Sequence, residues 1–560
     1  MNLAFSSRLI IDIILSTSTL INTTHLVDLD RRETLLIVYL LGYSSGSTLY
    51  RNNLYPLGSN PIFDKGLWKE VDRRSYSETV DSTSIYALTP TGIEGLDRII
   101  KNLPRGGLII VAGNPGTGKT MFSAKFLYMG AERYGEPGVY VSFAEKKPIF
   151  YSTMSRIGLN FEHLESRNMF RFLDLLAIKD SGLPLVIESI IETVEEIKAK
   201  RLVIDSFSAL AQTLKDPSDL RIVLHSLLGR IVWSMDCTTL LISEIPLGGA
   251  RIGFGVEEFV ADSVIILREG ILDGRFLRDL RIVKARGVRL SEKQMIFTLD
   301  KGFNVIPPFE APSIDVWRFY KPPEDPSRNI YSTGIPDLDR AVGGYPKGSI
   351  ALLEVDYRVR NYDYQSTITI PLGSCFLSKG GGLIVIPSLG VSASTVLEQS
   401  LLSFEDKSRV ERNLRILTIR GELGYKVRQG IVNLRGESIE DDYSEICRIE
   451  DELRSEVGGP ILKVIGVDRV MLHYGLNDTL KLLSMDVDRV VSNGSLTFLI
   501  AKPIHPKLTE RISPIADTHL KLTREHGALI LYGVKPRTGL YAVEVDVREG
   551  YTCTKLTPIV

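Results

Sequence analysis

Residues Gly113, Asn114, Pro115, Gly116, Thr117, Gly118, Lys119 and Thr120 read GNPGTGKT and fit the spacing GxxxxGK[ST]. Glycines at these positions let backbone N–H groups turn inward around a phosphate chain. The lysine then reaches the β- and γ-phosphates, and the threonine hydroxyl sits on Mg²⁺. Three further places carry groups that fit this chemistry. Asp205 closes the apolar run LVID, where a carboxylate either holds a Mg²⁺-bound water or caps the following turn. Glu145 follows VYVSF and is the best-placed carboxylate to orient an attacking water; the alternative is a solvated strand-end acid beside Lys146 and Lys147. Ser243 and Glu244 end LLISE and either sense a γ-phosphate or terminate that strand.

Positioning these groups requires strands that end at one edge. LIIVAG, VYVSF, MFRFLDL, RLVIDS, TTLLIS, SVIIL and LRIVKA read as strands, whereas MFSAKFLYMGAERYG, opened by Met121, and DLRIVLHSLLGRIVWSM carry apolar residues at helical spacing. Buried strands alternating with helices predict an α/β fold: a mostly parallel sheet with helices on both faces and its ligand at the carboxyl ends of the strands. The strand–loop–helix order also places the helix N-terminus against the phosphates.

The lead-in to this loop occurs twice. TGIEGLD (91–97) and PRG (104–106) recur at the same spacing as TGIPDLD (333–339) and PKG (346–348). Further matches follow in order: RLVID (201–205) with VIGVD (464–468), TTLLISE (238–244) with SLTFLIAK (495–502), VADSVIIL (260–267) with IADTHLKL (515–522), and IVKARG (282–287) with GVKPRTG (533–539). Two tandem copies of one domain are therefore expected, over 86–304 and 330–560. The proline-rich 305–329 joins them as a semi-rigid linker.

A chain of 560 residues exceeds one hydrophobic core, in agreement with two domains. Hydrophobic residues at 44% and charged residues at 24% exclude disordered and fibrous classes, and a net charge of −1 supplies no global field for nucleic acid. Four widely spaced cysteines show no CxxC pattern and read as reduced cytosolic thiols. The apolar runs at 3–21 and 35–43 are broken by Arg8 and Asp12 or too short to span a bilayer, and no signal peptide stands out, so a cytoplasmic protein without membrane association is expected. Residues 1–85 read as a mostly irregular N-terminal extension. One hypothesis places the native start near Val80, in which case native protein yields no peptide from residues 10–60.

With the duplicated TGIEGLD lead-in, the phosphate loop, MFRFLDL, GVEEFVADSVIILR (255–268) and KARG in view, the chain resembles the KaiC-type members of the RecA superfamily, closely over 88–303 and more distantly over 330–555. The resemblance implies two tandem RecA-like domains, ATP with Mg²⁺ as cofactors, and a homo-hexamer with ATP between neighbouring subunits. It also implies that Lys284 and Arg286, in the Lys-x-Arg-Gly stretch, reach the adjacent subunit's nucleotide, where a trans cation stabilises the transferring γ-phosphoryl. Thr120 and Asp205 would hold the Mg²⁺, the latter through water.

The chain also departs from that family. Phe143-Ala144-Glu145 stands where the family carries two adjacent glutamates, so slow hydrolysis is expected. In strict register Lys119 falls opposite Asn361 and Thr120 opposite Tyr362; a short insertion would bring Gln365-Ser366-Thr367 there instead. Neither restores a Gly-Lys pair. Glu145 has its counterpart near Leu389, Glu244 becomes Lys502, and Asp468 and Lys535-Pro536-Arg537 persist. The second copy is thus expected to be a pseudo-ATPase serving ring assembly or partner contact. Ser513-Pro514 stands where KaiC phosphorylates an adjacent Ser-Thr pair, so no autokinase activity of that kind is expected.

Three functions are compatible with these residues. The first is an ATP-binding, slowly hydrolysing oligomeric switch that signals to an unidentified regulatory protein. The second is a recombination accessory factor resembling the RadA and RecA paralogues, for which GGARIGFGV (248–256) offers one arginine and one phenylalanine to single-stranded DNA. The third is a transcription-regulating switch resembling the gas-vesicle regulator GvpD.

Overall fold

A computed structural model of the chain describes residues 88–560 except 101–102, 176–182, 209–230, 233, 247–259, 289, 312–317, 403, 421–429 and 506. The N-terminal extension, the 248–256 loop and most of the predicted 219–235 helix lie outside the described residues.

The front lobe is built on a nine-stranded sheet: β1 (Leu108–Gly113), β2 (Gly138–Ser142), β3 (Phe170–Asp174), β4 (Arg201–Asp205), β5 (Thr238–Glu244), β6 (Ser263–Leu272), β7 (Arg275–Ala285), β8 (Gln294–Thr298) and β9 (Asn304–Ile306). Its spatial order is β9-β8-β7-β6-β1-β5-β4-β2-β3. The first six strands in sequence are mutually parallel and β7 to β9 are antiparallel. Every residue of β1 and β2 is buried, which explains why LIIVAG and GVYVS read as continuous apolar runs rather than alternating ones. Helix α1 (Lys119–Tyr134) follows β1 and α2 (Lys147–Arg156) follows β2. One buried charge locks this lobe: the Arg201 guanidinium, fully buried, donates to Glu136 (2.7 Å), the Phe126 carbonyl (2.7 Å) and the Pro90 carbonyl (2.9 Å). It thereby ties the lead-in and α1 to β4.

The rear lobe repeats the plan. Its ten strands are β10 (Ser349–Val355), β11 (Gly382–Ile386), β12 (Leu414–Ile419), β13 (Ile431–Leu434), β14 (Ile461–Gly466), β15 (Leu496–Ala501), β16 (Thr518–Glu525), β17 (Ala528–Lys535), β18 (Tyr541–Asp546) and β19 (Cys553–Pro558). Their order, β19-β18-β17-β16-β10-β15-β14-β11-β12-β13, is that of the front sheet with one strand added at the edge. The copies agree to single hydrogen bonds. The Thr91 N–H donates to Asp97 (2.8 Å) as that of Thr333 does to Asp339 (2.7 Å). Asp262 accepts from the Leu108 N–H (3.0 Å) as Asp517 does from that of Ile350 (2.9 Å). The register shift between Val264 and Ile265 recurs between His519 and Leu520. The chain therefore holds two tandem RecA-like α/β lobes.

The structure also refines the alignment. Both post-loop helices begin in the strict register, at Lys119 and at Asn361, so Asn361 and not the Gln365 triplet takes the lysine's place. The pairing of Asp205 with Asp468 is corrected. Ile204 lies opposite Leu241 and Ile465 opposite Leu499, which puts Gly466 at the Asp205 position and moves Asp468 into the following helix, Val467–Tyr474. Both sequences end an apolar run on Asp, and sequence alone cannot see that the second run extends two residues past its strand.

The lobes meet through the sheets' antiparallel margins. Leu277, Ile296 and Ile306 of the front lobe share an apolar cluster with Ile530, Tyr532 and Ala542 of the rear, each large side chain worth roughly 1.5–3 kcal/mol on burial. Arg275 crosses the junction, donating to the Gly533 (2.6 Å) and Thr538 (2.8 Å) carbonyls and lying over the Tyr532 ring. From the linker, Phe309 is buried in the rear core. The four cysteines are free. Among the described residues no helix is long and apolar enough to cross a membrane.

Candidate nucleotide site

The carboxyl ends of the parallel strands bring Gly113, Ser142, Asp205 and Glu244 to one edge of the front sheet. Between β1 and α1 the chain makes the expected loop. Gly116 (φ +85°) and Gly118 (φ +93°) adopt left-handed backbone that other residues resist, and a Cβ on Gly118 would sit 2.8 Å from a Leu299 methyl. Within the loop the Thr117 hydroxyl donates to the Asn114 carbonyl (2.8 Å), and the Asn114 amide anchors to the Ile245 carbonyl (2.9 Å). Pro115 and Gly116 are exposed, while Met121 is half-buried against the core below.

Lys119 is buried, and its ammonium donates to the Gly113 (3.0 Å) and Asn114 (2.8 Å) carbonyls. Burial lowers its pKa, opposed by the nearby Glu244, Asp205 and Glu269 carboxylates. A partly desolvated cation held only by neutral carbonyls gains strongly when a polyanion arrives. The Thr120 hydroxyl donates to Asp205 (2.9 Å), so the two proposed Mg²⁺ residues already touch. Among the described residues no cluster of three or more His, Cys, Asp or Glu could hold a metal by itself. That donor set suits Mg²⁺, which characteristically takes one or two protein oxygens and completes its shell from phosphates and water. The Ser243 hydroxyl, buried at the end of β5 beside the loop strand, has no hydrogen-bond partner among the described residues, a polar atom that a bound ligand would satisfy. These residues fit Mg-nucleotide.

Glu145 is half-buried, its backbone pinned by Ser142, whose Oγ accepts from the Glu145 N–H (2.9 Å) and donates to its carbonyl (2.8 Å). Burial first, then the Asp205 charge, raises its carboxyl pKa. Glu244 is exposed, and its N–H donates to Ser208 (2.9 Å). Lys284 and Arg286 are not brought to this edge. Ser263, which faces Ala285, pairs with Ile109, whereas Leu267 pairs with Gly113. The two cations thus sit about four residues away along the strands, roughly 13 Å, toward the opposite edge of their own sheet. Arg286 is exposed and loosely paired with Asp262 (3.5 Å), while burial and Arg286 lower the Lys284 pKa against the pull of Asp262.

Two residues of this site have no signal in the motif. The Tyr140 hydroxyl, from the middle of β2, donates to Asp205 (2.5 Å). A tyrosine within an otherwise aliphatic buried strand needs such a partner, which was the available hint. Tyr140→Phe is expected to lower the unfolding free energy by about 1 kcal/mol, measured by urea denaturation. Arg278 donates to the Gly116 carbonyl (3.2 Å), to Glu269 (2.8 Å) and to the Val560 carbonyl (2.8 Å), linking the loop to the last residues of the rear lobe.

The matching place in the rear lobe is filled. Lys502, at the Glu244 position, donates to Asn361 (2.5 Å) and the Leu389 carbonyl (2.6 Å) and lies 3.7 Å from Asp468. Arg358 is paired with Asp356 and Glu525, and Arg360 with Asp363. The persisting Lys535 and Arg537 are also engaged, with the Ser513 and Gly274 carbonyls.

The family model "ATPase: KaiC" matches residues 89–310. Over these residues the chain is KaiC-like. Among curated proteins the chain is similar to the circadian clock oscillator protein KaiC of Thermostichus vulcanus, at 32% identity over 49% of this chain and 53% of that protein. The KaiC of Parathermosynechococcus lividus is 34% identical over 47% and 49% respectively. The chain thus spans about half the length of the curated relatives it matches. The crystal structure of a KaiC-like protein from Pyrococcus horikoshii OT3 is 35% identical and is covered completely by 40% of this chain, with a TM-score of 0.36. The match falls on the lobe that carries the glycine loop, Lys119, Thr120 and Asp205.

Proposed function

We propose that the protein is an oligomeric, ATP-dependent switch in which the front lobe, 86–304, binds and slowly hydrolyses Mg-ATP and the rear lobe, 330–560, is a nucleotide-free partner. The observation that carries this reading is the contrast between the lobes: Lys119, Thr120 and Asp205 converge on an open glycine loop, while Lys502 and Asn361 plug the same place in the copy.

Lys119 neutralises the triphosphate tail and the loop N–H groups orient it. Thr120 and Asp205 would hold Mg²⁺, which when bound offsets charge between the β- and γ-phosphates. Glu145 orients the water, and its raised pKa lets it accept a proton. Protonation of this carboxyl removes the acceptor, so ATPase activity is expected to fall on an acid limb lying above the ordinary glutamate value of 4.5. Lys284 and Arg286 act on the neighbouring subunit's nucleotide, a role supported by their distance from the loop of their own lobe. Ser513 bonds to His519 (3.0 Å) and Pro514 offers no hydroxyl, which supports the absence of autokinase activity.

Light scattering on a size-exclusion column tests the assembly. A hexamer is expected with Mg-ATP, and Arg286→Ala is expected to lower kcat about tenfold or more while leaving ATP affinity within about threefold. A monomer at every ATP concentration would leave Arg286 without a target and overturn the switch.

A further inference from the structure

One face of the rear sheet carries chemistry that the front sheet lacks. With Leu108 matched to Ile350 and Asp262 to Asp517, the front-lobe positions Ala112, Val264 and Ile266 correspond to Glu354, His519 and Lys521 in the rear. In the front lobe these three pack into an apolar core. In the rear lobe an acid, an imidazole and an ammonium take their places. Such groups cost stability on burial unless each finds a partner, so a set of them on one sheet face marks a candidate functional site.

The three line up with a serine. The Glu354 carboxylate, on β10, lies 3.3 Å from His519 Nε2 and 3.3 Å from the Lys521 ammonium. On the other side of the ring, His519 Nδ1 lies 3.0 Å from the hydroxyl of Ser513, in the short 3-10 turn Ser513–Ile515. Burial raises the Glu354 pKa, but the His519 hydrogen bond and Lys521 outweigh it and hold the carboxyl below its ordinary value. An ionised carboxylate only accepts, so in the neutral ring Nε2 carries the proton and Nδ1 turns a lone pair toward the Ser513 hydroxyl. A nucleophile, its base and the acid that orients the base are thus in sequence, as in a serine-hydrolase triad with the two ring nitrogens exchanged. His519 is 4% exposed, whereas Ser513 is half-buried and reachable from solvent. Lys535 donates to the Ser513 carbonyl (2.6 Å), which fixes the turn and brings a positive charge to the residue where negative charge develops on attack.

We propose that Ser513 is an activated nucleophile that accepts an acyl group from a small ester, with His519 as general base and Glu354 as the residue that positions it. In that step Ser513 Oγ bonds to the ester carbonyl carbon and gives its proton to His519 Nδ1. The bond from that carbon to the leaving oxygen breaks, and the leaving oxygen takes the proton from Nδ1. The products are acyl-Ser513 and a free alcohol. Every group involved belongs to the rear lobe, so the step is independent of nucleotide binding in the front lobe.

Two probes on the full chain test it: an alkyl fluorophosphonate, which phosphonylates activated serines with loss of fluoride, and p-nitrophenyl acetate. Peptide mass mapping is expected to place a phosphonyl group on Ser513 of the native protein. His519→Gln is expected to slow that labelling about 100-fold or more, the range of a lost general base. Glu354→Gln is expected to slow it about tenfold or more. Its amide can donate to Nε2, so the ring proton moves to Nδ1, a change read in the nitrogen resonances of His519 that a merely structural loss would not produce. Ser513→Ala is expected to abolish the label and to lower nitrophenolate release from the ester about tenfold or more. Should His519→Gln not fold, Glu354→Gln and Ser513→Ala carry the comparison. Native protein left unlabelled at Ser513, or labelled as fast in folded His519→Gln or Glu354→Gln, overturns the activated serine. Labelling of Ser513 with nitrophenolate release unchanged in Ser513→Ala overturns the ester as substrate.

Discussion

Lys119→Ala is expected to raise the dissociation constant of Mg-ATP by roughly 100- to 1000-fold, equivalent to about 3–4 kcal/mol. The magnitude follows from what the ammonium does. It is buried, held by the Gly113 and Asn114 carbonyls, and surrounded by a loop whose remaining donors are uncharged N–H groups. Removing it takes away the loop's own full positive charge and its charge-assisted hydrogen bonds, each worth about 1.5–3 kcal/mol. The substitution also leaves the Gly113 and Asn114 carbonyls without that donor, so a stability loss of about 1–3 kcal/mol is expected alongside. Lys502→Ala is the control in the rear lobe and should leave affinity within about twofold, because that ammonium plugs its site against nucleotide. Titration calorimetry of both variants decides the matter: full-strength binding to Lys119→Ala would place the nucleotide outside the glycine loop.

The second large effect lies in the rear core. Lys463, on β14, is buried between two buried carboxylates, Glu450 (3.2 Å) and Asp486. Arg489 (2.8 Å), Ser495 (2.8 Å) and Asn493 (2.9 Å) also donate to Glu450, and Thr497 (2.6 Å) donates to Asp486. Lys463→Met keeps the volume and removes the cation, leaving Asp486 with hydroxyl donors alone. A loss of about 3–5 kcal/mol of rear-lobe stability is expected, measured by urea unfolding. A change below about 1 kcal/mol would show that the two carboxylates do not need the lysine. The same network sets an acid limit. Burial raises the Glu450 pKa, but Lys463, Arg489 and Ser495 outweigh it and hold the carboxyl at about 2. Because the folded value lies below the unfolded one, the stabilisation is complete above about pH 4.5 and is lost as the pH falls toward 2.

The glycine loop, its flanking strand and helix, and the duplication were legible in the sequence because each rests on local facts. Gly116 and Gly118 are needed for their own backbone angles, and β1 is apolar because both of its faces are covered. The strict register that seats Asn361 opposite Lys119 was one of two the sequence allowed, and the helix start at Asn361 selects it. The Asp468 pairing failed for the complementary reason: an apolar run does not reveal where its strand ends, and Gly466 takes the position instead.

What the sequence determined by itself was therefore the phosphate loop, the α/β class and the presence of a second copy without a loop lysine. The tertiary structure alone decided that Tyr140 caps Asp205, that Lys502 fills the second loop edge, that Lys463 is buried among acids, and that Lys284 and Arg286 stand away from the loop of their own lobe. The division has a physical basis. Backbone preference and burial period act over a few residues and are written in spacing, whereas these contacts join side chains from different strands or helices. They exist only once sheet order and register place their ends together.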